Sequence, residues 1–200
     1  MSLPPEAPPT DPASIPSGVV VDTSVVSAIG NPDAEKNRAL AKLFEAASAT
    51  ACIPPCVVDE IEGESGRAYE APVRVLHGER QGWMERVPAF TDGAQYRNGP
   101  VASHVADRVR ERMADRFDVP EHEVEKTDTL LPGVAVQLLA SGEYGRTGVL
   151  IKDRHAAEAA HTVLENTEYE GLIRIYRGKP FIEWSVDWAG AESSSDRGIY

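Results

Sequence analysis

The chain has 200 residues, 42% of them hydrophobic, which suits one globular core and is short for two. Its 32 acidic and 20 basic side chains leave a net charge of −12, which excludes a protein that coats nucleic acid through a general basic field. Any contact with phosphate must therefore be local.

The opening 17 residues are dense in Pro, Ser and acidic side chains and read as a flexible leader. They carry no basic n-region or apolar h-region, and no run of about 18 apolar residues occurs anywhere, so the expectation is a cytoplasmic protein with no membrane partner. Gly18-Val19-Val20-Val21-Asp22 is a short β-branched run closed by an acid, as a buried parallel strand would be. A helix is predicted over 33–48, with Leu40, Leu43, Phe44 and Ala47 as its apolar stripe. A second strand at 51–53 leads through Pro54-Pro55 into a helix ending near Gly63. The two cysteines, Cys52 and Cys56, form a lone C-x3-C without the second pair of a structural zinc site and read as buried thiols.

Residues 64–98 give weaker signals, a helix over 71–81 and a strand over 84–90. Gly93, Asn98, Gly99 and Pro100 mark a loop before a helix over 101–117. On that helix Arg108, Arg110, Arg112 and Arg116 alternate with Asp107, Glu111 and Asp115, the pattern of a solvated face laced with local ion pairs. Asp128 precedes a helical run over 134–139, 147–151 is a β-branched strand closed by Asp153, a helix is predicted over 156–164, and 173–176 is a last strand. A folded domain over 18–188 with a flexible tail over 189–200 follows. Strands alternating with helices predict an α/β three-layer sandwich, a central parallel sheet flanked by helices. Functional groups in such sheets gather at the carboxyl ends of the strands.

Asp22 and Asp153 occupy such ends, Glu60 lies one turn into the helix after the second strand, and Asp128 stands at a helix start. Taken singly, each Asp is explained as a helix cap worth about 1 kcal/mol. Converging together, four acids raise one another's pKa unless cations neutralise them, and hard oxygen ligands point to Mg2+ or Mn2+.

Val19-Val20-Val21-Asp22-Thr23-Ser24-Val25-Val26 resembles the opening strand of PIN domains. In order after it, Pro54-Pro55-Cys56-Val57-Val58-Asp59-Glu60-Ile61, Thr127-Asp128-Thr129 and Gly148-Val149-Leu150-Ile151-Lys152-Asp153-Arg154-His155 resemble the second, third and fourth motifs of that family. The ordered set spans most of residues 18–177. It departs from many relatives at Ile151, where they carry Thr or Ser, and in a longer segment over 63–126 than compact toxin members have. That length resembles archaeal members such as the RNA ligase partners more than ordinary VapC-type toxins of toxin-antitoxin pairs. The acidic, Lys-poor composition, 15 Arg against 5 Lys, likewise resembles that of halophilic proteins, or of a GC-rich genome.

The resemblance implies a metal-dependent ribonuclease. Asp22, Glu60, Asp128 and Asp153 would be its catalytic metal ligands, with Asp59 as an alternative to Glu60. Ser24, Thr23 and Arg154 would orient the site or meet phosphate. It also implies RNA as substrate, an antitoxin or RNA-processing protein as partner, and a homodimer. The alternative is a catalytically silent PIN-like module acting through an RNA-processing partner. A haloacid dehalogenase-type phosphatase would need a second Asp where Ser24 stands, and no G-x-x-x-x-G-K-[ST] phosphate loop occurs.

Overall fold

Five strands, β1 (Gly18–Val21), β2 (Thr50–Ile53), β3 (Met84–Arg86), β4 (Thr147–Ile151) and β5 (Ile173–Arg177), pair in the order β3-β2-β1-β4-β5, every neighbour parallel. They belong to a computed structural model that describes residues 5–63 and 70–195. β1 and β4 are buried along their whole length, so their apolar runs are covered on both faces. The chain leaves β1 towards β2 on one side and returns to pair β4 on the other. That reversal opens a crevice at the carboxyl ends of β1 and β4. Gly18 lets the sheet close on the helical layer: a Cβ there would stand 2.7 Å from the Tyr144 ring.

Eight helices among the described residues connect the strands: α1 (Thr23–Ala28), α2 (Glu35–Ala46), α3 (Pro55–Gly63), α4 (Glu70–Gln81), α5 (Ala102–Phe117), α6 (Lys126–Ala140), α7 (Arg154–Leu164) and α8 (Gly178–Ser195). α2 packs on α8, and α5 packs on α6 and α7, giving the two helical layers of an α/β three-layer sandwich. α2 buries Leu40, Leu43 and Phe44, as its periodicity predicts. α6 buries residues all round and runs through the middle of its layer against β1 and β4.

Several boundaries differ from the sequence expectations. Over residues 5–17 the leader is docked. The Glu6 N–H donates to the Ile175 carbonyl at 2.9 Å, Asp11 caps a short 3-10 turn, and Ile15 is buried in the core. Unpaired backbone on the edge strand β5 recruits this segment, which composition alone does not reveal. At the other end α8 continues to Ser195, so residues 189–195 prolong a helix and do not form a separate tail; 196–200 lie outside the described residues. α6 begins at Lys126 and passes through Pro132, which removes only the hydrogen bond that the Asp128 carbonyl would have accepted. The predicted strand over 84–90 ends at Arg86.

The segment over 63–126 is no appendage among its described residues. It supplies the edge strand β3 and helix α5, whose Val105 and Val109 are fully buried. On α5 the Arg and acidic side chains form i,i+3 pairs, Arg108 with Glu111 at 3.7 Å and Arg110 with Asp107 at 3.8 Å. Cys52 is buried but Cys56 only half-buried, which corrects the expectation of two buried thiols. Burial pushes the Cys52 thiol up to about 12 and raises that of Cys56, so neither is a ready thiolate. Among the described residues no helix is long and apolar enough to cross a membrane.

Candidate metal centre

At the carboxyl ends of β1 and β4 a cleft of about 330 Å3 is lined by Asp22, Ser24, Glu60, Glu125, Asp128, Lys152, Asp153 and Arg154. All four acids anticipated from the sequence meet here, together with a fifth, Glu125.

Asp22 follows β1 directly and is buried at 4% exposure. Its Oδ1 accepts from the Ser24 N–H at 3.1 Å, capping α1. Its Oδ2 accepts from the Ser24 hydroxyl and, at 3.1 Å, from the Lys152 N–H beyond β4. One carboxylate thus ties the two central strands together where they diverge. Asp153 caps α7, accepting from the Ala156 N–H at 2.7 Å. Capping is therefore real at both positions, and each carboxylate still has lone pairs to offer the cleft.

Glu60 is held from across the sheet end: the Thr23 hydroxyl donates to its Oε2 at 2.8 Å. Thr23 therefore serves Glu60, while Ser24 serves Asp22. Asp59, the alternative on α3, is exposed and does not line the cleft. Glu125 and Asp128 stand at the first turn of α6, three residues apart and so on one face. That spacing was the one sequence signal that could have exposed Glu125.

The electrostatics follow from this crowding. Burial, then the charges of Asp22, Glu125, Asp153 and Glu60, pushes the Asp128 carboxyl up to about 7. Burial also raises Glu125, followed by the charge of Glu60 and a hydrogen bond with its carboxyl, then the charges of Asp22 and Asp153. The amino ends of α1, α6 and α7 all face the cleft, and their dipoles offset part of the repulsion.

Arg154 lines the cleft, and its guanidinium also pairs with Glu158 on the same helix. Its Nε lies 2.6 Å from Glu158 Oε1, and Arg116 from α5 lies 2.7 Å from Glu158 Oε2. The pair of guanidiniums, Arg154 foremost, holds the Glu158 carboxyl below its usual range. His155 packs edge-on against Phe117, ring centroids 5.1 Å apart.

Among the described residues no three His, Cys, Asp or Glu side chains are gathered to hold an ion by protein atoms alone. The donor set nevertheless fits a hydrated hard cation. It is all carboxylate, it is short of compensating cations, and Mg2+ typically keeps several waters while taking one or two carboxylates.

An all-parallel sheet with acids gathered at its reversal point defines an α/β domain built to concentrate negative charge at one cleft. A family model described as "Halobacterial PIN domain" matches residues 15–187. The chain belongs to that family. The crystal structure of VapBC2 from Rickettsia felis bound to a DNA fragment from their promoter is similar over 68% of this chain and 88% of that chain, at 11% identity and a TM-score of 0.42. No curated protein matches the chain significantly.

Proposed function

We propose that the chain is a metal-dependent endoribonuclease of the PIN type that hydrolyses RNA phosphodiester bonds. The observation that carries this reading is the cleft at the β1/β4 crevice, where five carboxylates line one space and burial, together with the neighbouring charges, lifts Asp128 to about 7. A fold does not keep such an arrangement for stability, because the acids destabilise one another without a cation.

Asp22, Glu60, Asp128 and Asp153 are the residues that would hold Mg2+ or Mn2+, with Glu125 beside them. A bound divalent ion supplies Lewis acidity and charge neutralisation for phosphodiester hydrolysis. The chain's own residues do the positioning. Ser24 and the Lys152 N–H fix Asp22, Thr23 fixes Glu60, and the α7 amino end fixes Asp153. The Lys152 side chain stands at the rim, exposed, where an incoming phosphate would meet it. With a net charge of −12, this local meeting is how RNA would be retained, and high salt would favour it by screening the rest of the surface. The acidic, Lys-poor composition agrees with the halobacterial family assignment.

The silent-module alternative has one observation in its favour: both Asp22 oxygens already accept protein hydrogen bonds. It leaves Glu60, Asp128 and Glu125 without a purpose. An antitoxin or RNA-processing partner, and a homodimer, remain the expected assemblies of either reading.

Purified protein incubated with a panel of labelled RNAs, at low and high KCl, is expected to cut them with Mn2+ or Mg2+ and to stop in EDTA. Equal cutting in EDTA would remove the metal mechanism. Silence with every metal would promote the binding module.

A further inference from the structure

We propose that the apolar cleft beside the acid cluster is a subsite for one unpaired nucleobase, with the Phe117 ring as its stacking platform. This inference rests on the nuclease reading above and adds how the strand is held.

The cleft, of about 540 Å3, is walled by Phe117, Val119 and Val124 and ends at Glu125, Asp128 and Asp153. Those three acids also line the candidate metal cleft, so the two spaces adjoin. Whereas Phe44 and Phe181 are fully buried, Phe117 is the last residue of α5 and is 47% exposed. The chain turns immediately after it, Asp118 adopting φ 53 as the helix cap, which fixes the ring at the mouth of the cleft. The His155 ring packs against it in a T-shaped pair, at an interplanar angle of 82°. In that arrangement His155 covers at most one face of the Phe117 ring, and the ring is half exposed.

The charge of the cleft selects the occupant. Among the described residues no Lys or Arg lines it and three carboxylates do, so a phosphate group is repelled there. A nucleobase suits it: the flat apolar faces match Phe117 and the valines, and its N–H edge can donate to a carboxylate such as Glu125. The base must be unpaired, because in a duplex both of its faces are already stacked. A strand whose phosphate lies at the acid cluster would thus place a neighbouring base against Phe117.

The test measures binding of a labelled single-stranded oligoribonucleotide in Ca2+, beside RNA cleavage in Mn2+, for the wild type and for Phe117→Ala, Phe117→Leu and Phe117→Trp. Stacking on an aromatic ring predicts that Phe117→Ala weakens binding about five- to hundredfold and that Phe117→Trp retains it. Phe117→Leu, which keeps apolar bulk without a ring, should behave like Phe117→Ala. An oligonucleotide abasic at the nucleotide beside the cut site should cost the wild type the same factor and cost Phe117→Ala nothing more, since the two changes remove one contact. The subsite is overturned, with the nuclease reading intact, if the wild type cuts RNA and Phe117→Ala or Phe117→Leu binds it as tightly. That result would give the patch to a protein partner. If the wild type neither binds nor cuts any RNA, the nuclease reading fails and the subsite falls with it.

Discussion

Replacing Asp128 with Asn separates a charge cluster kept for chemistry from one kept for stability. The Asp128 carboxyl lies at about 7 in the folded protein against an ordinary 3.8. Its folded form therefore keeps a proton that the unfolded chain gives up, so stability falls as pH rises from about 4 to about 7 and is flat above. The span sets a ceiling of about 4 kcal/mol on the penalty at pH 8, at about 1.4 kcal/mol per pH unit. Counter-ions and the open mouth of the cleft screen part of it, so about 1–2 kcal/mol is the working expectation. In a protein of this size that is a melting temperature higher by about 2–8 °C for Asp128→Asn than for wild type, in EDTA at pH 8. The gap should narrow towards pH 5, because the wild-type carboxyl is then protonated as well. Neither Glu60 nor Asp128 makes a helix cap, so this measurement is free of the capping loss that Asp22→Asn or Asp153→Asn would bring. Thermal melts across pH 5–8 in EDTA provide the assay. An Asp128→Asn protein less stable than wild type at pH 8, or one with the same pH dependence, would refute the electrostatic reasoning.

Thr23→Val keeps shape while deleting the hydroxyl that donates to Glu60; cleavage or Mn2+ affinity should fall about 10- to 100-fold with the melting temperature nearly unchanged. Equal affinity in the variant would show that Glu60 needs no such support. Glu158→Gln removes the carboxylate shared by Arg116 and Arg154, tying α5 to α7. A loss of about 1–3 kcal/mol is expected in urea unfolding, since both guanidiniums lose a charged acceptor. Because the Glu158 carboxyl is held low, that contribution is present at neutral pH and fades as pH falls through its folded pKa, so wild type and variant should converge in acid.

Much of the site was legible because its signals are local. An apolar, β-branched run closed by an acid, twice, predicts two buried parallel strands whose ends lie together, and Asp22 and Asp153 do share a cleft. What was not legible depends on distant partners. Arg154, read as a candidate phosphate ligand, lines the cleft and pairs through Nε with Glu158 one turn further along α7, a carboxylate that Arg116 from α5 shares. Thr23 was read only as a residue that would orient the site, and the partner of its hydroxyl is Glu60, thirty-seven residues away. Glu125 was not singled out: the helical run was read over 134–139 with Asp128 before it, and α6 starts earlier, at Lys126, so that its first turn sets Glu125 beside Asp128. The docking of residues 5–17 escaped for a similar reason, since it relies on backbone pairing to β5 and on one buried side chain, Ile15.

The central claim is that the carboxylate cleft holds a divalent cation, and Mn2+ binding followed by electron paramagnetic resonance tests it most directly. Wild-type protein should bind Mn2+ and release it to EDTA, and Glu60→Gln and Asp128→Asn should each weaken binding at least about tenfold while remaining folded. Wild-type protein that binds no Mn2+, or variants that bind it as tightly as wild type, would contradict the account.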